Sequence, residues 1–356
     1  MCSCRGGVVG PRRAGVHPGS GRRGPGVGGP CRLLNYLKSM PARPVPPTPP
    51  FVSSPTSPPL LPSVPPGVRV VPEVPGPAGF RYLPREVTPA DVLAGVTTRA
   101  FGDLRLGADA SGGSSSPPDD VPSLVARPGL LQRWEELRLE LDRSAGARGL
   151  VLSRQVHGGA VRAHRTPMEG LLLTPDSDGH VALVPGVALA VTLADCVPVF
   201  LLPDDTPAVG LLHAGWRGTA AGILENGLQA LQGRTGVGPG RIRVHLGPSI
   251  GGPSYEVTAQ VLRSVLPDTD LASLPAPDLS GSHAPAQPRV HLDLRAALAI
   301  RALAAGVPTH RITLSPADTR TDEGLYSHRG GDRGRHVAFV CRMAGARRPT
   351  APGTPG

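Results

Sequence analysis

Three short segments concentrate the reactive side chains of this 356-residue chain: Gln155-Val156-His157-Gly158, Ala194-Asp195-Cys196-Val197-Pro198 and His213-Ala214-Gly215-Trp216-Arg217-Gly218. Each lies at the end of an apolar run that reads as a strand. A side chain there is held by a rigid sheet yet faces solvent or a cleft. The imidazoles of His157 and His213 with the Cys196 thiolate make a three-ligand zinc set whose fourth tetrahedral position stays open for water or substrate, the pattern of catalytic sites. Zinc so held generates hydroxide near neutral pH or polarises a substrate atom. Singly, each residue has a plainer reading: a cysteine beside proline packs as a small hydrophobe, and a histidine at a turn is hydrogen-bonded. No two ligands are neighbours in sequence as in HExxH or CxxC, so spacing alone leaves both readings open.

The elements that must position these residues follow from periodicity. VALAVTLADCVPVFLL and AVGLLHAGW (208–216) are near-continuous apolar runs, as expected of strands buried on both faces. LVLSRQVHGGAVRA reads as two strands in a tight connection with His157 at its mouth. Apolar residues at 130, 131, 134, 137 and 141 predict a helix. A second helix is expected over TAAGILENGLQALQ, ending near Gly233, and a third over DLRAALAIRALAAG, with Asp293 as N-cap and Gly306 as terminator. VRVV, DVLAGVTTR, ITLS and RHVAFVCRM read as further strands. Strands and helices mix without strict βαβ alternation, so the expected class is α+β: a layered sandwich of mixed sheets flanked by helices in a single compact domain.

Glycine and proline together number 91, and much of this sits at the ends. Residues 1–72 hold nine basic residues and no acidic one, whereas 73–341 hold 25 basic and 27 acidic. The body is therefore slightly acidic. The basic excess does not argue for a nucleic-acid partner, and two Trp, four Tyr and five Phe offer few stacking platforms. We expect a disordered Gly/Arg- and Pro-rich tail over 1–66, a folded domain over 67–343 and a disordered tail over 344–356. A Ser/Gly/Pro loop is expected at 110–120. No run of 18 apolar residues exists, so no membrane partner is expected, and Gly, Pro and Arg occupy the place of a signal-peptide core. Cys196 and Cys341 alone in the body do not make a disulfide framework, which fits a cytoplasmic setting.

QVHG, ADCVP, HAGWRG and GPSIGGPSYEV, in this order, resemble the laccase-domain family once named for multicopper polyphenol oxidases, over about Gly95 to Val340. The resemblance implies a compact layered α/β domain and a zinc-dependent purine nucleoside phosphorylase acting on adenosine, inosine, guanosine or methylthioadenosine with phosphate, with adenosine deaminase as a side activity. Bacterial members are also called peptidoglycan editing factors. By motif, the zinc ligands become His157, Cys196 and His213. Three departures are evident: Ser254 stands where the family often has cysteine before Tyr-Glu-Val, Asp318 stands for the cysteine of a Cys-Thr pair, and Ser327-His328-Arg329-Gly330 lacks the second arginine of Ser-Tyr-Arg-Arg.

Phosphorolysis needs an anion site, and arginine is the preferred fork for phosphate. Arg217, at a helix start, can combine its guanidinium with free N–H groups. Arg99 and Arg329 are further phosphate candidates, and Tyr255 is expected to line the pocket. Asp195 is a candidate proton shuttle if its side chain turns toward the site. In the competing reading the protein is a cysteine hydrolase of peptidoglycan precursors, with Cys196 as nucleophile and His157 or His213 as base. Copper is the weaker metal assignment, because none of the 11 histidines forms the His-x-His pair that such oxidases use.

Overall fold

A computed structural model describes residues 60–77, 79–106, 128–267 and 289–345. Residues 1–59 of the expected N-terminal tail, the 110–120 loop and the C-terminal residues beyond 345 lie outside these.

The centre is a pair of seven-stranded mixed sheets. In the first, the order is β3 (Val74–Pro75), β4 (Phe80–Tyr82), β5 (Val92–Thr97), β17 (His336–Arg342), β10 (Val187–Leu193), β6 (Gly149–Ser153) and β8 (Gly170–Thr174). In the second it is β2 (Arg69–Val70), β16 (Ile312–Leu314), β13 (Ile242–Leu246), β11 (Val197–Pro203), β12 (Val209–Ala214), β9 (Gly179–Ala182) and β7 (Val161–His164). A small sheet joins β1 (Leu60–Leu61), β15 (Arg289–Leu292) and β14 (Glu256–Thr258). Residues 60–66 fall within the expected tail, yet β1 pairs in parallel with His291 and Leu292, and Leu61 packs on the core. Two leucines within a proline-rich run suffice for this because β15 offers them an open edge.

Alternation along each strand sorts side chains between faces. Val187, Leu189, Val191 and Leu193 of β10 meet Phe200 and Leu202 of β11 and Val209 and Leu211 of β12 in a buried core between the sheets. Ala188 and Ala190 point the other way, to α1 (Pro128–Ala145), where Trp134, Leu137 and Leu141 are buried. On the outer face of the second sheet, Val199, Leu201 and Leu212 pack under α3 (Ile223–Thr235) and α5 (Leu294–Ala304). The result is a helix, sheet, sheet, helix sandwich. Strands buried on both faces explain the continuous apolar runs.

Local details refine the sequence reading. The helix expected after His213 is broken into α2 (Trp216–Ala220) and α3, with Gly222 between them at φ +78°. The C-cap of α3 is Gly236 in the left-handed region rather than Gly233. Asp293 caps α5 as expected, its side chain accepting from the Ala296 N–H at 2.9 Å. β6 and β7 belong to different sheets, so the segment with His157 crosses between layers instead of forming a hairpin. Among the described residues no helix is long and apolar enough to cross a membrane.

Phe200 is fully buried between the sheets. Phe200→Ala is expected to lower unfolding free energy by about 3–5 kcal/mol through the cavity it leaves, measured as a fall in denaturant midpoint at unchanged m-value.

Candidate active site

Strand register brings the reactive segments together. β11 and β12 pair antiparallel with Pro198 opposite His213, which sets Cys196, just before β11, beside the end of β12. β12 pairs with β9 so that Leu212 faces Gly179, which puts Asp178 next to His213. β9 runs parallel to β7 with Gly179 opposite Val161, so the turn before β7, carrying His157, comes alongside. Residues separated by tens of positions thus line one end of the sheet.

The ligand atoms of His157, Cys196 and His213 all lie within 4.8 Å of one another. Behind them sits Asp178, which is fully buried. Its Oδ1 accepts the His157 backbone N–H at 2.9 Å and lies 2.8 Å from His213 Nδ1, while its Oδ2 accepts from the Val156 N–H at 3.1 Å and the Gly158 N–H at 2.7 Å. One carboxylate therefore holds the His157 turn and orients His213, leaving His213 Nε2 for the site. His157 adopts φ +59° and Asp195 φ +92°, backbone conformations that non-glycine residues hold only under surrounding constraint.

Glycines permit this closeness. A Cβ on Gly215 would lie 2.9 Å from Cys196 Sγ and 3.2 Å from His157 Cδ2, and one on Gly159 would lie 2.5 Å from the Ala221 carbonyl oxygen. The HAGW glycine and the second glycine of HGG are thus demanded by these close approaches.

Charge accumulates in a defined way. Burial pushes the Cys196 thiol up, but the charge on His213 and hydrogen bonds from both histidines outweigh it and bring its pKa down to about 6. Burial opposes protonation of His213, yet the Cys196 thiolate and Asp178 carboxylate raise it to about 9. Against its own burial, Asp178 is held below the usual carboxylate range by His213 and the backbone N–H groups. The cluster fits a metal ion: the sulfur is in its ligating form, His213 would bind on releasing its proton, and a carboxylate behind an imidazole is the usual support of a metal-bound histidine.

The cluster opens on a cavity of about 480 Å³ lined also by Gln155, Asp195, Trp216, Arg217, Tyr255, Arg329 and Arg335. Arg217 is exposed and lies over the Trp216 ring at 4.6 Å. Because α2 is only five residues long, the expected helix-end contribution gives way to the guanidinium itself. Arg329 lies 5.1 Å from the Tyr255 ring centroid. Burial, then the Cys196 thiolate, raises the Tyr255 phenol to about 12. Asp195 lines the cavity, but its Oδ1 accepts from Thr319 Oγ1 at 2.7 Å and its Oδ2 from the Arg329 N–H at 2.6 Å, so it anchors the 319–329 loop. Arg99 is not brought to the site. Its guanidinium is paired with Asp332, donates to the Leu325 carbonyl at 2.8 Å and lies over Tyr326.

The sequence reading missed Asp178 and Arg335. Asp178 stands two residues from Asp176, which is exposed and paired with Arg154. No local signal separates the two.

A family model described as multi-copper polyphenol oxidoreductase laccase matches residues 131–343. The purine nucleoside phosphorylase YlmD of Geobacillus stearothermophilus is 34% identical over 264 residues, covering 71% of this chain and 91% of that protein. A purine nucleoside phosphorylase of Mycobacterium tuberculosis is 33% identical over 236 residues, covering 65% and 88%. The crystal structure of the Geobacillus YlmD superposes with a TM-score of 0.60 at 28% identity, over 76% of this chain and 98% of that one.

Asp178→Asn puts an amide N–H₂ against groups that are themselves donors. We expect the affinity of the cluster for a divalent metal ion to fall about 10–100-fold, read by competition titration with a chelator, together with a lowered melting temperature.

Proposed function

The chain belongs to the family described as multi-copper polyphenol oxidoreductase laccase, and on that premise we propose that it is a purine nucleoside phosphorylase with zinc held by His157, Cys196 and His213. The observation that carries this reading is the convergence of those three ligand atoms, within 4.8 Å, at the wall of a cavity flanked by Arg217 and Arg329. The names of the relatives support it. The substrates in this reading are adenosine, inosine, guanosine and methylthioadenosine, with adenosine deamination as a side activity, in the cytoplasm.

The reaction joins a phosphate oxygen to ribose C1′ as the C1′–N9 bond breaks. The bonding pair leaves with the purine, and the proton of hydrogen phosphate ends on the purine nitrogen. Bound zinc supplies Lewis acidity at the cavity wall. Arg217 and Arg329 hold the phosphate, their planar forks matching its oxygens. Each is braced on an aromatic ring, which limits the positions its guanidinium adopts. Tyr255, whose phenol stays protonated at neutral pH, keeps its proton and donates a hydrogen bond from Oη to the departing base, which stabilises the charge that develops there. Zinc suits the site better than copper. The chemistry transfers no electrons, so the redox couple of copper has no use in it.

One observation favours a second reading. Cys196, His213 and Asp178 stand as thiolate, imidazolium and carboxylate, the order of a cysteine-hydrolase triad, and such an enzyme would act on a peptidoglycan precursor. Metal content separates the two, since a thiolate committed to zinc is a poor free nucleophile.

About one zinc per chain is expected in the purified protein, and His157→Ala, Cys196→Ala and His213→Ala should each lose metal and phosphate-dependent purine release together. Full activity of a metal-free wild type, with alkylation trapping an adduct on Cys196, would establish the hydrolase instead. Arg217→Ala should raise the KM for phosphate by about tenfold or more while changing that for inosine little, measured by varying each substrate in turn.

A further inference from the structure

Arg335 lies immediately before β17, whose His336 pairs with Leu193 of β10. One step further along the antiparallel ladder, Arg335 stands opposite Ala194, next to Asp195 and Cys196. It thus reaches the cavity from a strand of the first sheet, whereas His213 stands on a strand of the second and His157 and Cys196 lie on the crossovers between the two.

Its partners set it apart from the other arginines nearby. Arg81, Arg99 and Arg342 each pair with a carboxylate, on Asp322, Asp332 and Asp91. The Arg335 guanidinium donates only to backbone carbonyls, of Arg333 at 3.1 Å and Gly334 at 2.8 Å, and no carboxylate forms an ion pair with it among the described residues. The carboxylate of Asp103 accepts the Arg335 backbone N–H instead, at 2.8 Å. Burial, with Arg105 close by, pulls the Arg335 pKa below the ordinary arginine range. A half-buried cation with no carboxylate in ion-pair contact among the described residues, its charge favoured only at longer range by Asp103, Cys196 and Asp195, carries a desolvation cost that an incoming anion relieves. Arg217 and Arg329 are exposed, so solvent and salt screen their pull more strongly.

Resting on the phosphorylase reading, we infer that Arg335 is a phosphate ligand of this enzyme, the inner cationic contact that grips the phosphate from the side opposite Arg217. Two cationic groups from different elements, Arg217 on α2 and Arg335 beside β17, suit a doubly charged oxyanion better than one, because each neutralises separate oxygens while leaving a third free to approach C1′. The carbonyl contacts at Arg333 and Gly334 fix the direction of the guanidinium before phosphate arrives.

The test uses the zinc-loaded full chain, with inosine and inorganic phosphate varied separately for wild type, Arg335→Gln and Arg335→Lys. We expect Arg335→Gln to raise the KM for phosphate about 10- to 100-fold and that for inosine less than about twofold. Arg335→Lys should fall between, since charge is kept and the fork lost. Calorimetric titration of inorganic phosphate into the same proteins gives the split without turnover, and zinc content should match wild type in all. Equal rises in both constants, or unchanged phosphate binding in a phosphate-dependent enzyme, would overturn the Arg335 assignment alone. Purine release by wild type that is indifferent to phosphate would overturn the phosphorylase reading and, with it, this role.

Discussion

The site depends on one buried carboxylate. Asp178 is removed from water yet ionised, which is affordable only because four donors converge on it: three consecutive backbone N–H groups from Val156 to Gly158 and the His213 ring. Those donors are the two histidine ligands or their immediate backbone. The carboxylate therefore does locally what a metal would otherwise have to do alone. It holds the His157 turn in its left-handed conformation, orients the His213 ring, and favours the protonated ring that in turn lowers the Cys196 pKa.

That interaction is possible because four adjacent strands, β11, β12, β9 and β7, end in step. A shift of one residue between β9 and β12 would turn Asp178 to the other face, since side chains alternate. Register is pinned by burial on both faces of these strands, where Phe200 and Leu211 face the opposing sheet and Leu201 and Leu212 face the helices. The core thus sets the chemistry by fixing which residues meet at the sheet end. Glycines at 159 and 215 then let the segments close to contact distance.

Charge is distributed by the same logic. The chain is rich in arginine, and the fold settles most of these residues against carboxylates or carbonyls. Arg99 is absorbed by Asp332 and Tyr326, and Arg295 clamps the carbonyls of Ser315 and Ala317 at 2.5 and 2.8 Å. Among the described residues, the arginines facing the cavity form no ion pair with a carboxylate. Asp195 contributes by tying the 319–329 loop to the strand end beside Cys196, which places Arg329 over Tyr255. In this way a residue adjacent to a ligand organises the opposite wall of the cavity.

Much of the chain was legible before any coordinates. The continuous apolar runs around Cys196 and His213, the amphipathic helix through Trp134 and the Asp293 cap are local features, decided by periodicity and by groups a few residues apart, and they emerged as read. The grouping of His157, Cys196 and His213 was legible because cysteine and histidine at strand ends carry chemistry wherever they meet. What the sequence alone could not decide is which charged residues would join them. Asp176 and Asp178 are equivalent on paper, and one is exposed while the other is the buried pivot. Arg99 reads as a phosphate candidate and Arg335 does not, yet Arg99 is neutralised by Asp332 while Arg335 lines the cavity. The break between α2 and α3 at Gly222 likewise follows from packing against the His157 turn. Each of these outcomes rests on contacts between residues distant in sequence, set by strand register and by the pairing of two sheets, and local sequence carries no term for either.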